Sequence, residues 1–358
     1  MNSKLKTISF NDVIVALLAQ LSEREADVLA KRNALNNQEQ YTLEEIGKEY
    51  NVTRERVRQI ENEGIRKIKS IDNAQVQAPV KTIESIIGEL LLQHGGAMSE
   101  DHLMEQLLDE RNSDNERNAV DFLLTHVLAA QFERVDATGD FNAIWKIGSM
   151  SIDTYLTIAN HLYKIISEQK RPITVTDLVN EIREHNLFDY IDKNSAKNDV
   201  MIEALLRMRK DINKNILSEW GIKNWKTITP KRMTDKAYLI MKREGRPLHF
   251  EEITDLINQA CFDKKKACAA TVHNELILDD KYVLVGRGLY ALKEHGYEEG
   301  TVADIIAKLL REQSPMTKDE IIDQVLKQRM VQKTTVTLAL MKKDRFARNE
   351  SGAYTLVA

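Results

Sequence analysis

Tyr41–Lys69 reads YTLEEIGKEYNVTRERVRQIENEGIRKIK, and these residues decide the fold of the chain around them. Thr42-Leu-Glu-Glu45 sets a threonine at a helix N-cap with a glutamate three residues on, a capping box that satisfies two free backbone donors at once. It opens a short helix holding Leu43 and Ile46, in which Gly47 is expected to mark a close approach between helices. The chain turns at Tyr50-Asn51-Val52. Thr53-Arg-Glu-Arg56 then starts a longer helix whose Val57, Ile60, Ile65 and Ile68 recur at helical spacing and face the core. Short helix, tight turn and longer helix make a helix-turn-helix, and polar side chains at the start of its second helix can reach base edges in a duplex. Local charge agrees: from Thr53 to Lys69 six cations stand against three anions, in a chain whose net charge is −4. A chain that coats nucleic acid non-specifically would carry a positive sum; here the basic excess is local.

Upstream, Ser22-Glu-Arg-Glu25 is a second capping box, opening a helix with Val28 and Leu29 inward. Asn11-Asp12 can cap a first helix carrying Val13, Ile14, Leu17, Leu18 and Leu21. Residues 1–72 are thus expected to form a four-helix domain. The run TLEEIG followed by VTRERVRQIE closely resembles the fourth conserved region of housekeeping-type bacterial sigma factors, and SEREADVLAKR (Ser22–Arg32) resembles the helix before it. The resemblance covers roughly the first 70 residues, about a fifth of the chain. It implies a region that reads the upstream −35 promoter element and packs on the flap of the RNA polymerase β subunit. By position Arg54, Glu55 and Gln59 match that family's base-reading residues. Their chemistry suits the task, since Arg pairs bidentately with guanine, Glu accepts from cytosine N4 and Gln pairs with adenine. Arg24, Thr42, Arg56 and Arg58 look like phosphate contacts, which position without specifying. The other reading of any one arginine here is a solvated face or a helix-dipole partner. Asn62-Glu63 stands where the family often has a small residue followed by a basic one, on a surface that activators touch, and Ala30 replaces a frequently basic position. Those departures leave activator response open and base reading untouched.

The polar stretch SIDNAQVQAPVK (Ser70–Lys81) is expected to hold a linker at residues 73–81. Residues 1 to about 75 should then fold alone, with proteolysis beginning near Ala78-Pro79. Beyond it one pattern recurs at intervals of roughly 60 to 75 residues. Each copy starts with an amphipathic helix, as at Val302, Ile305, Ile306, Leu309 and Leu310. A break follows: Gly95-Gly96-Ala97-Met98, Arg171-Pro172-Ile173, Arg246-Pro247-Leu248 and Ser314-Pro315-Met316. Then come a capped second helix, clearest at Thr174-Val-Thr-Asp177 and Thr317-Lys-Asp-Glu320, and a third helix holding Val272 and Leu276 or Val336 and Leu340. Three copies close with a strand pair bearing an aromatic: Phe132–Val135 with Ala143–Ile147 (Trp145), Tyr282–Val285 with Leu289–Leu292 (Tyr290), and Arg345–Arg348 with Ala353–Val357 (Tyr354). Three helices and a hairpin make a winged helix. The expected modules are 82–149, a divergent 150–229 ending near Trp220 and Trp225, 230–295 and 296–358. The last two resemble HARE-type helix-turn-helix domains, including the N-terminal domain of the RNA polymerase δ subunit. The fold class is mainly α: a sigma-region-four helix-turn-helix followed by tandem winged helices with small β-hairpins.

The third copy carries Lys264, Lys265 and Lys266 before its third helix and Arg287 at its hairpin tip. The fourth is basic through Lys333, Lys342, Lys343, Arg345 and Arg348. These are candidate additional DNA contacts or the solvated cations of a protein-docking module, and the residues leave both open. The aromatics that close the hairpins are expected in the core rather than as base-stacking platforms.

Enzyme chemistry is not visible. Only 5 prolines and 14 glycines argue for a helix-rich chain with short connections. No apolar run is long enough for a membrane span and the first residues lack a signal peptide's apolar core, so a cytoplasmic protein is expected. Cys261 and Cys268 lie seven apart on a predicted helical stretch, a spacing of neither a zinc pair nor a redox motif. The eight histidines are scattered, and Glu44-Glu45, Glu251-Glu252 and Glu298-Glu299 sit at predicted helix starts or polar connections. No catalytic residue, metal or cofactor is expected. The function expected is a sequence-specific double-stranded DNA-binding transcription factor that also contacts RNA polymerase. The resemblance begins almost at residue 10 and aromatics make up only 6% of the chain. The chain is therefore expected to recognise duplex DNA without melting it, beside a separate complete sigma factor. The alternatives are a polymerase-associated protein that docks without reading bases, or the DNA-recognition component of a nucleic-acid-processing system. Arg54, Glu55 and Gln59 together favour the first.

Overall fold

The computed structural model describes residues 9–108, 113–183, 187–194, 197–297 and 299–357. The chain is mainly helical, with small antiparallel strand pairs between groups of helices. It divides into two compact units: residues up to Asn213 with Trp220–Ile222, and Lys214–Glu219 with Lys223 onward. Among the described residues no helix is long and apolar enough to cross a membrane.

The first unit opens with four helices: α1 Phe10–Leu18, α2 Glu23–Arg32, α3 Leu43–Glu49 and α4 Arg54–Lys69. The cap of α1 is Ser9, whose hydroxyl accepts from the Asp12 amide at 3.1 Å, rather than Asn11-Asp12. α2 and α3 start at their capping boxes and α4 at the Thr53 cap. Ser22 donates through both its amide (3.1 Å) and its hydroxyl (2.7 Å) to the Glu25 carboxylate. Phe10, Val13, Ile14 and Leu17 recur at helical spacing and form the buried face of α1.

That face is not closed by the four helices. The segment expected to be a linker is instead the first part of α5, Ala74–Gln93, with Pro79 inside the helix. Val76 and Val80 lead a buried series continued by Ile83, Ile87 and Leu91, and all five share one core with the buried face of α1. The connection between α4 and α5 is only residues 70–73. About four turns of apolar anchoring outweigh the hydrogen bond that Pro79 cannot donate.

From α5 the chain builds a first winged module: β1 Ala97–Ser99, α6 Glu100–Leu108, α7 Asp114–Phe122, a π-helical turn Leu123–Val127, then β2 Phe132–Val135 and β3 Ile144–Ile147. The sheet runs β1-β3-β2, all antiparallel. Its third helix, α7, packs on α1. Glu116 on α7 accepts from the Ser9 hydroxyl at 2.9 Å and the Phe10 amide at 3.0 Å, so a carboxylate from the winged module sits on the N-terminus of α1, where the helix dipole favours it. Asn118 donates to the Ala34 carbonyl at 3.1 Å, and the Asn37 amide donates to Asn115 at 3.0 Å.

The second module is α8 Ile152–Gln169, α9 Val175–Ile182, α10 Phe188–Asn194, α11 Asn198–Arg207, β4 Ile212–Lys214 and β5 Trp220–Ile222. It is the divergent copy because α10 is inserted between the second and third helices. Trp220 joins its sheet, but Trp225 lies in the turn beyond and is only half-buried.

In the second unit, α12 Met233–Glu244, β6 Leu248–His249, α13 Phe250–Ala260, α14 Ala269–Leu278, β7 Tyr282–Gly286 and β8 Leu289–Leu292 make the third module. The fourth is α15 Val302–Glu312, α16 Lys318–Gln328, α17 Lys333–Leu340, β9 Phe346–Arg348 and β10 Tyr354–Leu356. Cys261 and Cys268 are not on one helix: the first ends α13, the second caps α14, and both are exposed. Glu298 of the acidic pairs lies outside the described residues.

One pairing recurs in all four modules. The apolar residue closing each break stands opposite the aromatic of the last strand: Met98 with Trp145, Ile173 with Trp220, Leu248 with Tyr290 and Met316 with Tyr354. Trp145, Trp220 and Tyr290 are buried and Tyr354 is half-buried, so the aromatics pin each wing to its helices.

Candidate nucleic-acid interface

Helices α3 and α4 meet over a small core of Val28, Ile46, Val57 and Ile60, with Tyr41, Leu43, Tyr50 and Val52 at its edge. The turn between them is tight. Asn51 sits at φ +52°, in the left-handed region that asparagine tolerates better than most residues. The Val52 amide donates to the Gly47 carbonyl at 2.9 Å, and a Cβ on Gly47 would lie 2.8 Å from the Val52 carbonyl oxygen. Gly47→Val is therefore expected to cost about 1–3 kcal/mol through forced separation of α3 from the turn. Thermal unfolding of the full chain checks this; an unchanged midpoint would mean that the turn yields without cost.

Thr53 caps α4 by accepting from the Arg56 amide at 3.2 Å. Because Val57, Ile60, Gly64 and Ile68 are buried, the opposite stripe of the helix carries Glu55, Arg58, Gln59, Asn62 and Arg66 to solvent, with Arg54 exposed in the first turn. The three residues expected to read bases are thus all exposed at the N-terminal half of α4. Asn62 and Arg66 extend the same stripe; a helical wheel of α4 would have placed them there, whereas the sequence reading took Asn62 only as a departure from the family pattern.

The side chains are paired among themselves. Arg58 donates to both oxygens of Glu55, at 2.9 and 2.6 Å, and Arg56 donates to the Gln59 carbonyl at 3.1 Å. The Arg58 guanidinium holds the Glu55 carboxyl below the usual carboxylate range, and Glu55 in turn raises Arg58. Arg54 makes no hydrogen bond among the described residues and is open to a ligand. Exposed pairs of this kind are weak in water, so arginines can exchange them for phosphates, releasing Glu55 and Gln59 toward bases.

The phosphate candidates differ in what they can offer. Arg24 is exposed and rests over the Tyr50 ring at 5.1 Å, a cation–π contact that fixes its direction. Tyr50 itself donates to Asp27 at 2.6 Å, and burial with that bond pushes its phenol up to about 12. Thr42 has no donor to spare: its amide (2.8 Å) and its hydroxyl (2.7 Å) both go to Glu45.

In the third winged module Lys264, Lys265 and Lys266 are exposed in the loop before α14, and Arg287 is exposed at the tip between β7 and β8. In the fourth, Lys333 opens α17 and Lys342 and Lys343 follow it, all exposed. Arg345 and Arg348 are engaged within the module. Arg345 pairs with Asp304 at 2.9 Å and Arg348 donates to the Gly352 carbonyl at 3.0 Å.

This arrangement defines a helix-turn-helix module with a polar, arginine-rich outer face. Residues 17–70 match the family Sigma-70, region 4. The RNA polymerase sigma factor RpoD of Helicobacter pylori (strain ATCC 700392 / 26695) is 55% identical over 58 residues, which are 16% of this chain and 9% of that protein. RpoD of Neisseria gonorrhoeae is 43% identical over 61 residues, 17% of this chain and 10% of that protein. The chain thus spans about a tenth of the length of these relatives, and the winged modules lie outside the matched span.

Proposed function

We propose that this protein binds double-stranded DNA through α3, the turn and α4, and acts in transcription initiation by reading a promoter element of the −35 kind. The observation that carries the reading is the joint exposure of Arg54, Glu55 and Gln59 on the outer face of α4, within the stretch that matches Sigma-70 region 4. Arg56, Arg58 and Arg24 place the helix on the backbone, while the first three residues select the sequence. RNA polymerase is the protein partner that the sigma-like stretch brings with it, and the flap of the β subunit is its docking point. A separate complete sigma factor supplies promoter opening. On this reading the last two winged modules are of HARE type, and the protein works by binding rather than by catalysis.

Duplexes selected from a random pool by the purified protein give the site. On that site Arg54→Ala is expected to cost about 1–3 kcal/mol and to relax the requirement for one guanine. Arg58→Ala is expected to weaken specific and scrambled duplexes alike, and to lower the slope of log K against log salt by about one unit. Failure to enrich any sequence, or equal losses on specific and scrambled DNA for both variants, would overturn the reading.

A further inference from the structure

The third helices of the winged modules do not share one environment, although their core positions correspond. In α11, α14 and α17 the last core leucine stands six residues before the first wing strand: Leu206 before Ile212, Leu276 before Tyr282 and Leu340 before Phe346. The residue two before that leucine points to the side opposite the core. In the first module the π-helical turn lengthens the spacing, so the corresponding leucine is Leu124 and the residue two before it is Phe122, the last of α7, 2% exposed in the core shared with α1 and α5. On α11 it is Ala204, fully buried; the helix packs on β1 of the preceding module, with Met201 against Gly95 and Arg207 paired to Glu105 at 2.6 Å. In both, protein covers the face that a DNA-binding winged helix would lay in a groove.

On α17 the same position is Leu338, 65% exposed, beside Met341 at 66%. Neither side chain can donate to or accept from a base edge. Around them Lys333, Lys342 and Lys343 are exposed, while Arg345 is tied to Asp304 and Arg348 to the Gly352 carbonyl. We infer that α17 is a docking face for an acidic amphipathic helix of a protein partner. The partner's apolar stripe covers Leu338 and Met341, and its carboxylates meet the three lysines. A second copy of this chain suits the face badly, because pairing α17 with α17 sets lysine against lysine.

The test uses the full chain with labelled methionine methyl groups, the Met341 signal being assigned with Met341→Leu. Three probes are added: a helical peptide of leucine and glutamate with its leucines on one face, a peptide of the same composition with the leucines scattered, and a random-sequence duplex. The Met341 signal is expected to shift with the first probe and to stay in place with the other two. Leu338→Ser should weaken peptide binding tenfold or more without changing duplex binding. Lys342→Ser with Lys343→Ser should weaken it several-fold and reduce its dependence on salt. A Met341 shift with the duplex but not the peptide would assign the face to nucleic acid. A shift on concentrating the protein by itself would assign it to a second copy, and no shift with any probe would remove the docking face.

Discussion

A fragment ending at Ile71 is expected not to fold, even though it contains every helix of the sigma-like stretch. Phe10, Val13, Ile14, Leu17, Leu18, Leu29, Leu35 and Ile68 belong to a core that α5 and α7 complete. Burying a side chain of this size contributes about 1.5–3 kcal/mol. Losing cover from even half of them removes as much as the whole stability of a typical domain, about 5–15 kcal/mol. The fragment also loses Glu116 from the start of α1. Circular dichroism should show reduced helix and no cooperative transition on heating, whereas extension to residue 149 should restore both. A sharp melt with native helix content in the short fragment would mean that α1 needs no partner outside the four helices.

Phe122→Ala is the point substitution with the largest expected effect. The ring is 2% exposed between α7 and the helices it serves, and no backbone rearrangement fills its space cheaply. Truncations of this kind cost about 3–5 kcal/mol. In urea the transition of the first unit should move to lower denaturant with little change of slope. Because Phe122 is not on the outer face of α4, DNA affinity measured well below the transition should be unchanged. A stable variant that fails to bind would instead place α7 in the interface.

The helix starts were legible because their chemistry is local. Ser22, Thr42, Thr53, Thr174 and Thr317 each cap the helix that follows, and each needs only the next three residues to be recognised. The cap of α1 was ambiguous for the same reason, since Ser9, Asn11 and Asp12 are all cap formers within four residues. The exposure of Arg54, Glu55 and Gln59 in the N-terminal half of α4 was legible too, because Val57 and Ile60 turn the opposite face of the helix to the core. Their pairings were not, because an arginine in a helix has several partners within reach and only the packed structure selects Glu55 for Arg58 and Gln59 for Arg56. The turn signals of Ser70–Lys81 hid α5. Val76, Val80, Ile83, Ile87 and Leu91 repeat at helical spacing through it, and that period was the better guide than Pro79. The second module was obscured by the inserted α10 and by Ser218, which holds φ +60° where a turn usually has glycine. Ala30 has an explanation that no reading of its neighbours supplied. It is 7% exposed in the core that α5 and α7 complete, where a basic side chain would be buried.

The carboxylate of Glu116 caps a helix whose first residues were made 107 positions earlier. At about 5–20 residues per second, a ribosome needs roughly 5–20 s to travel that distance. During that interval the nascent helix-turn-helix has Arg54, Glu55 and Gln59 in place but lacks the packing that α5 and α7 supply. The N-terminus of α1 thus gains its carboxylate cap only once α7 has emerged, and a message truncated before α7 yields a helix-turn-helix without that support.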